Sequence, residues 1–193
     1  MRRKVGILGG TFDPPHYGHL VLAEQVLDQT QVNEIWFMPT NVPPHKKNEG
    51  MATKEQRLKM AELAIKDQER FFCEDVEFER SGPSYTIDTI AKLQRAYPDD
   101  TFFFIIGGDM VNQLEDWYKI EQLKKLVTFI VAERPNDPLS HKQKMNPAFI
   151  YVSIPQLDLS SSTIRERVKL NQSIRYLLPE NVRVFVKEHG LYE

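Results

Sequence analysis

The chain has 193 residues, 41% hydrophobic and 27% charged, enough for one domain with a substantial core and short for two that fold independently. Its 25 Lys and Arg against 27 Asp and Glu leave a formal net charge of −2, which excludes the global basic field behind non-specific nucleic-acid binding but allows a local basic pocket. No apolar run approaches the roughly 20 residues of a membrane-spanning helix, and the lone Cys73 excludes an internal disulfide or a multi-thiolate zinc site, so a cytoplasmic protein is expected.

MRRKVGILGG opens on a basic cluster, but glycines interrupt it before the apolar stretch of a secretion signal can develop. Val5, Ile7 and Leu8 read as a short strand ending at Gly9 and Gly10, and HLVLAEQVLDQT then places Leu20, Ala23 and Leu27 at helical spacing. EIWFMPT, 34–40, is a second strand, and the polar, proline-containing NVPPHKKNEGM after it is an exposed loop. Thr53 and Gln56 stand at capping-box spacing ahead of Leu58, Ala61 and Ile65, which predicts a helix. FFCEDVEFE reads as a third strand. Behind a Ser-Gly-Pro turn, Ile87, Ile90 and Leu93 mark a helix that Pro98 stops.

TFFFIIGGD is the strongest strand in the sequence, an unbroken apolar run ending in two glycines and an aspartate. MVNQLEDWYKIEQLKKL is helical with a break near Trp117 and Tyr118, TFIVAERP is a strand stopped by Pro135, and FIYVSIP is the last strand. SSSTIRERVKL and LPENVRVFVKEHG close the chain as two helices, the second with a proline at its start and Gly190 just past its end. These helices, about 160–193, are expected to form a small helical part of a single domain, 1–193.

Strands alternating with helices imply parallel crossovers, so the fold class is α/β with an open, doubly wound sheet. In such sheets the ligand crevice lies outside the carboxyl ends of the strands. GGTFDPPH, PTNVPPHKK, GGD, AERP and PQLDLSSS should therefore gather along one edge.

Neither G-x-x-x-x-G-K-[ST] nor G-x-G-x-x-G occurs in the chain. GILGGTFDPPHYGHL, 6–20, instead offers Gly9 and Gly10 for close backbone approach, the Thr11 hydroxyl, and His16 with His19 one turn apart at a helix N-terminus. Imidazoles beside free backbone N–H groups suit an anion, and phosphate comes first. A metal and a purely structural role for the two histidines are the alternatives, although no Cys, Glu or third His stands at helpful spacing. Asp13 reads equally as a turn residue before Pro14.

GGTFDPPHYGH, with HYGH at 16–19, resembles the signature of the nucleotidyltransferase superfamily that carries an [HT]-x-G-H element. SSSTIR, 160–165, resembles that superfamily's I-S-S-T-x-I-R element, with Leu159 for the isoleucine and Ser162 for the threonine. GGDMVNQLEDWYKI and NVPPHKK are similar to the bacterial nicotinate mononucleotide adenylyltransferases in particular, and the likeness runs from residue 5 to about residue 190. Gly108 stands where many relatives have alanine.

The resemblance implies a Rossmann-like sheet and a reaction of NAD biosynthesis, in which ATP and nicotinate mononucleotide give deamido-NAD and pyrophosphate. It implies Mg2+ carried on the ATP phosphates, with none bound by protein side chains, and it suggests a homodimer. Because the acceptor's 5′-phosphate is already anionic, the protein needs donors that hold two repelling phosphates in line, without a catalytic carboxylate pair. His16, His19 and Arg165 are the catalytic candidates, and Gly9, Gly10, Thr11, Phe12, Gly18, Gly107, Ser160, Ser161 and Ser162 would line the ATP groove with them. Asp109 would accept ribose hydroxyls or cap a helix, and Arg134 would border adenine or sit in a surface ion pair. For nicotinate mononucleotide, Trp117 would stack on the pyridinium and Thr86 would join backbone N–H groups on the carboxylate. Tyr85 and Tyr118 would be pocket walls, and His45, with Lys46 and Lys47 behind it, would close over the phosphates. The alternatives are a nicotinamide mononucleotide or pantetheine-phosphate adenylyltransferase, against which WY at 117–118 and SYTIDT at 84–89 count, or a non-catalytic nucleotide sensor.

Overall fold

Six apolar segments lie side by side as parallel strands in the computed structural model, which describes residues 2–41, 50–79, 85–133 and 148–193. They are β1 (Lys4–Gly10), β2 (Glu34–Pro39), β3 (Phe71–Cys73), β4 (Thr101–Gly107), β5 (Thr128–Glu133) and β6 (Phe149–Ser153). Their order is β3-β2-β1-β4-β5-β6 and every pairing is parallel. The chain builds outward from β1 on one side, then returns to β4 on the other. The carboxyl ends of β1 and β4 therefore flank a topological switch point, where a Rossmann-like sheet opens its crevice.

The strands are apolar throughout because both faces are covered, yet a period of two sorts their side chains. Val5 and Ile7 of β1, with Phe102, Phe104 and Ile106 of β4, enter one core beside Ile90, Leu93 and Leu123. Leu8 and Ile105 enter the opposite core with Ala23, Val26, Met60, Ile164 and Val182. The first face is thus covered by α3 (Thr86–Ala96) and α4 (Ile120–Leu126), and the second by α1 (Tyr17–Gln29), α2 (Lys54–Ile65), α5 (Ser161–Lys169) and α6 (Glu180–Glu188). Among the described residues no helix is long and apolar enough to cross a membrane.

Local signals set the helix ends. Thr53 Oγ1 accepts from the Gln56 N–H at 3.2 Å while Gln56 Oε1 accepts from the Thr53 N–H at 2.9 Å, closing the capping box that the sequence spells. At the far end of α6, Gly190 takes φ +56. The Gly190 N–H bonds the Lys187 carbonyl and the Leu191 N–H bonds that of Val186, a Schellman turn that sends the chain back toward the sheet.

Two elements differ from expectation. The third strand ends at Cys73, and Val76–Glu79 forms a 3-10 turn. Asp75 starts that turn by accepting from the Phe78 N–H, and Glu77 is buried against the Thr89 hydroxyl, which an extended chain would not allow. Gly108–Asp116 is a 3-10 helix, followed by the anticipated break at Trp117 and Tyr118 and then by α4.

Candidate active site

The chain leaves β1 at Gly10, crosses six residues and enters α1 at Tyr17. His16 is the N-cap and His19 the third helical residue, the same spacing that makes a capping box elsewhere. The His16 N–H donates to His19 Nδ1 at 3.1 Å, and the two rings lie 3.8 Å apart at 30°. With Nδ1 used as an acceptor, the neutral ring carries its proton on Nε2 and so offers a donor. Burial, and then the neighbouring His16, hold the His19 pKa well below its ordinary 6.5. The edge of Phe12 closes the third side, 5.0 Å from the His19 ring.

Phe12 itself is 1% exposed and adopts φ +49. Its ring belongs to the core against Phe37, so its expected part in nucleotide binding is left to its backbone. Gly18 makes room for the neighbouring imidazole. A Cβ there would stand 2.9 Å from His16 Nδ1, displacing the imidazole.

Distant side chains take the loop's carbonyls. Arg57, 3% exposed on α2, donates to Thr11 O at 3.0 Å, to Thr40 O at 2.7 Å and to Asn41 O at 3.0 Å. Arg165 Nη1 donates to Asp13 O at 2.7 Å and Ser161 Oγ to Pro14 O at 2.8 Å. Peptide planarity fixes the Phe12 N–H opposite the Thr11 carbonyl, so the Arg57 bond sets that donor as well, whereas the peptides after Asp13 and Pro14 lead into prolines and carry no N–H. Asp13 is a buried carboxylate as well as the turn residue before a cis Pro14: Oδ1 accepts from the Ala52 N–H at 3.0 Å and from the Tyr192 hydroxyl at 2.7 Å. Its Oδ2 lies 3.6 Å from Arg165 Nη1.

The α5 N-terminus faces this loop. Ser160 caps the helix by accepting from the Thr163 N–H at 3.0 Å, and Arg165 Nη2 donates to Ser162 Oγ at 3.3 Å. His16, His19, Gly18, Gly107 and Ser160 to Ser162 line one pocket of about 290 Å³, with Ala132 at the end of β5. Gly107 leaves room for Asp109, whose carboxylate occupies the place a Cβ would take. The cap of the 3-10 helix is Gly107, so the exposed Asp109 carboxylate is not an N-cap.

Aromatic rings form the neighbouring part. Tyr85 and Tyr118 meet at 4.6 Å, both exposed, next to Thr86 at the start of α3. Trp117 stands edge-on to Phe104 at 5.8 Å and to Phe129 at 6.4 Å. Phe104 in turn ends 3.4 Å from where a Gly9 Cβ would sit, which joins the aromatic group to the end of β1. A Gly10 Cβ would press on the Phe12 ring at 3.1 Å.

His45, Lys46, Lys47 and Arg134 lie outside the described residues. Arg57 and Tyr192 were not legible as site residues: one reads as a helix surface position and the other as a tail residue. Among the described residues no three His, Cys, Asp or Glu side chains cluster for a metal. Burial pushes the Cys73 thiol up to about 12, which keeps it protonated. A larger cleft of about 500 Å³ between α5 and α6 holds none of the expected site residues, and its Arg183 is already paired with Glu180.

The cytidylyltransferase-like family model matches residues 7–167. A Geobacillus thermodenitrificans protein named "Probable nicotinate-nucleotide adenylyltransferase" is 52% identical over 189 residues, 98% of this chain and 86% of that one. A Bacillus subtilis protein named nicotinate-nucleotide adenylyltransferase is 47% identical over 191 residues, 99% of each chain. Among solved structures, a Plasmodium falciparum nicotinic acid mononucleotide adenylyltransferase complexed with NaAD superposes with a TM-score of 0.85 at 22% identity, covering 99% of this chain and 98% of that one. That last likeness bears on the fold.

Proposed function

The chain belongs to the cytidylyltransferase-like family, and from that premise we propose that it is an enzyme transferring AMP from ATP to nicotinate mononucleotide, with deamido-NAD and pyrophosphate as products. The names of relatives 47–52% identical over nearly the whole chain support the activity. The observation that carries it onto this chain is the meeting of HYGH and SSSTIR, some 140 positions apart, on one pocket at the switch point.

In this reading an oxygen of the acceptor's 5′-phosphate attacks the α-phosphorus of ATP, a new P–O bond forms, and the bond to the β-phosphate bridge breaks as pyrophosphate departs. Nothing must be deprotonated, so the work is alignment and charge stabilisation. The Nε2–H of His19 donates to the phosphate chain, and as a neutral ring it adds no desolvated charge of its own. Backbone N–H groups at the α5 N-terminus and the free edge of Arg165 serve the outer phosphates. Asp109 meets a ribose, Trp117 stacks on the pyridine ring with Tyr85 and Tyr118 around it, and Thr86 with the first N–H groups of α3 receives the nicotinate carboxylate. Imidazole, hydroxyl and guanidinium groups make a poor cage for Mg2+, a cation that prefers oxygen anions. The ion fits as a passenger on the triphosphate, where it would neutralise charge on the leaving group. A single domain over 1–193, a homodimer, cytoplasmic location, closure over the phosphates by His45 with Lys46 behind it, and Arg134 bordering the adenine complete the reading.

The test supplies saturating ATP with nicotinate mononucleotide, nicotinamide mononucleotide or phosphopantetheine in turn and follows pyrophosphate. Release with nicotinate mononucleotide at a kcat/KM well above the others is expected. Activity with the nicotinamide compound alone would overturn the acceptor, and silence with all three would leave a nucleotide sensor.

A further inference from the structure

Tyr192 is the penultimate residue of the sequence, yet it is 7% exposed and takes φ +68, a backbone conformation that is unfavourable for a non-glycine residue. The Schellman turn after α6 delivers it to Asp13, where its hydroxyl donates to Oδ1 at 2.7 Å. A phenylalanine would fill the same apolar space beside Met60. What the hydroxyl adds is one hydrogen bond to a carboxylate that is 1% exposed, and a buried carboxylate short of donors is costly.

That carboxylate stands beside the arginine of the second phosphate element. Arg165 Nη1 bonds the Asp13 carbonyl at 2.7 Å and leaves Asp13 Oδ2 at 3.6 Å, outside hydrogen-bond range. Its Nη2 points instead to Ser162 at the start of α5. Arg57, also charged, contributes to the same field. Both donors go to Oδ1, while Oδ2 is buried without a hydrogen-bond partner and has the Arg165 guanidinium only at ion-pair distance; the two Oδ1 bonds carry enough of the charge that Arg165 stays on the Asp13 carbonyl and Ser162. Deprived of one, the carboxylate would compete for that guanidinium.

We propose that Tyr192 is a positioning residue for adenylyl transfer: by sharing the buried Asp13 carboxylate with the Ala52 N–H, its hydroxyl keeps Arg165 turned toward the α5 N-terminus and the leaving pyrophosphate. The proposal rests on the adenylyl-transfer reading above. Burial and Asp13 raise the Tyr192 pKa from its ordinary value, so the hydroxyl remains a donor throughout the neutral range. The same carboxylate ties Ala52, just ahead of α2, to the histidine loop.

Tyr192→Phe is expected to lower kcat about tenfold, because a small misplacement of a phosphate-binding group is costly, while KM for nicotinate mononucleotide changes by less than about twofold. Combined with Arg165→Lys, it should add little: the double variant should fall within about twofold of Arg165→Lys alone, since both act through one group. A merely structural tie would lower the melting temperature, leave kcat per folded molecule unchanged, and act independently of Arg165. Unchanged kcat, or full multiplicativity with Arg165→Lys, overturns the proposal. Should Tyr192→Phe not fold alone, it is placed on Asp13→Asn, where no carboxylate competes for Arg165: the double variant is expected to match Asp13→Asn in kcat within about twofold, and a roughly tenfold difference between the two overturns the proposal. Wild-type protein inactive on every acceptor overturns the adenylyl-transfer reading and this proposal together; active wild type with an unimpaired variant overturns this proposal alone.

Discussion

From Asp13 to Arg165, the side of the pocket edge proposed for the phosphates is held by polar bonds that reach across the chain. The carbonyls and carboxylate of residues 11–14 find partners 39 to 179 positions away. On the other side, Tyr85, Tyr118 and Trp117 meet their neighbours through ring contacts at 4.6 to 6.4 Å. Ring packing is weakly directional, whereas a hydrogen bond loses most of its worth below about 120°. The difference fits two tasks: donors aimed at a transferring phosphate must be set before substrate arrives, while a flat ring needs only a face and an edge. Backbone strain does not follow this division, since Phe12 and Tyr192 hold positive φ near the histidine loop and Lys119 holds it next to Tyr118.

The sharpest way to break this comparison is Arg57→Ala. It removes the donor that the Thr11, Thr40 and Asn41 carbonyls share, and we expect a loss of about 3–5 kcal/mol of unfolding free energy, read by urea titration. A loss below about 1 kcal/mol would mean that the loop holds itself. Next, His19→Ala should lower kcat by about 10²-fold with the circular-dichroism spectrum unchanged, as for other lost transition-state donors. Near-normal turnover would make the His16 and His19 pair a capping device only. On the aromatic side the effect should be smaller and of another kind. Trp117→Ala is expected to raise KM for nicotinate mononucleotide about tenfold while kcat drops less than about threefold, and Tyr118→Ala to change either by about twofold. A kcat-dominated loss in Trp117→Ala would erase the distinction between the two sides.

The smallest effect is on pH. His19 is held below 6.5 in the fold, so as pH falls through about 6.5 the unfolded chain gains a proton that the folded one refuses. Stability is therefore lost with falling pH in that window, by at most about 1.4 kcal/mol per pH unit from this group. Urea midpoints at pH 7.5 and 5.5 should show the decline, and His19→Gln should make it shallower.

Where local rules operate, the residues could be read directly. The Thr53 and Gln56 box, the break at Trp117, the strand in TFFFIIG and the glycine after α6 all follow from neighbours within five positions. His16 and His19 obey the same N-cap geometry, but in residue types that the usual box does not use, so their spacing signalled a ligand before it signalled a cap. FFCEDVEFE misled because only its first three residues find a parallel partner, in β2. The bond between Glu77 and Thr89 decides the rest.

The sequence by itself determined the order of strands and helices, the edge on which the glycine loops collect, and the two signatures that meet there, because periodicity and turn chemistry are local. Only the tertiary structure decided which buried charge answers which. Arg57 reads as one more helix residue, Asp13 as a turn, Tyr192 as a tail. A buried polar group must be paired, and the partner is chosen by proximity in space between residues that carry no mark of each other in the chain.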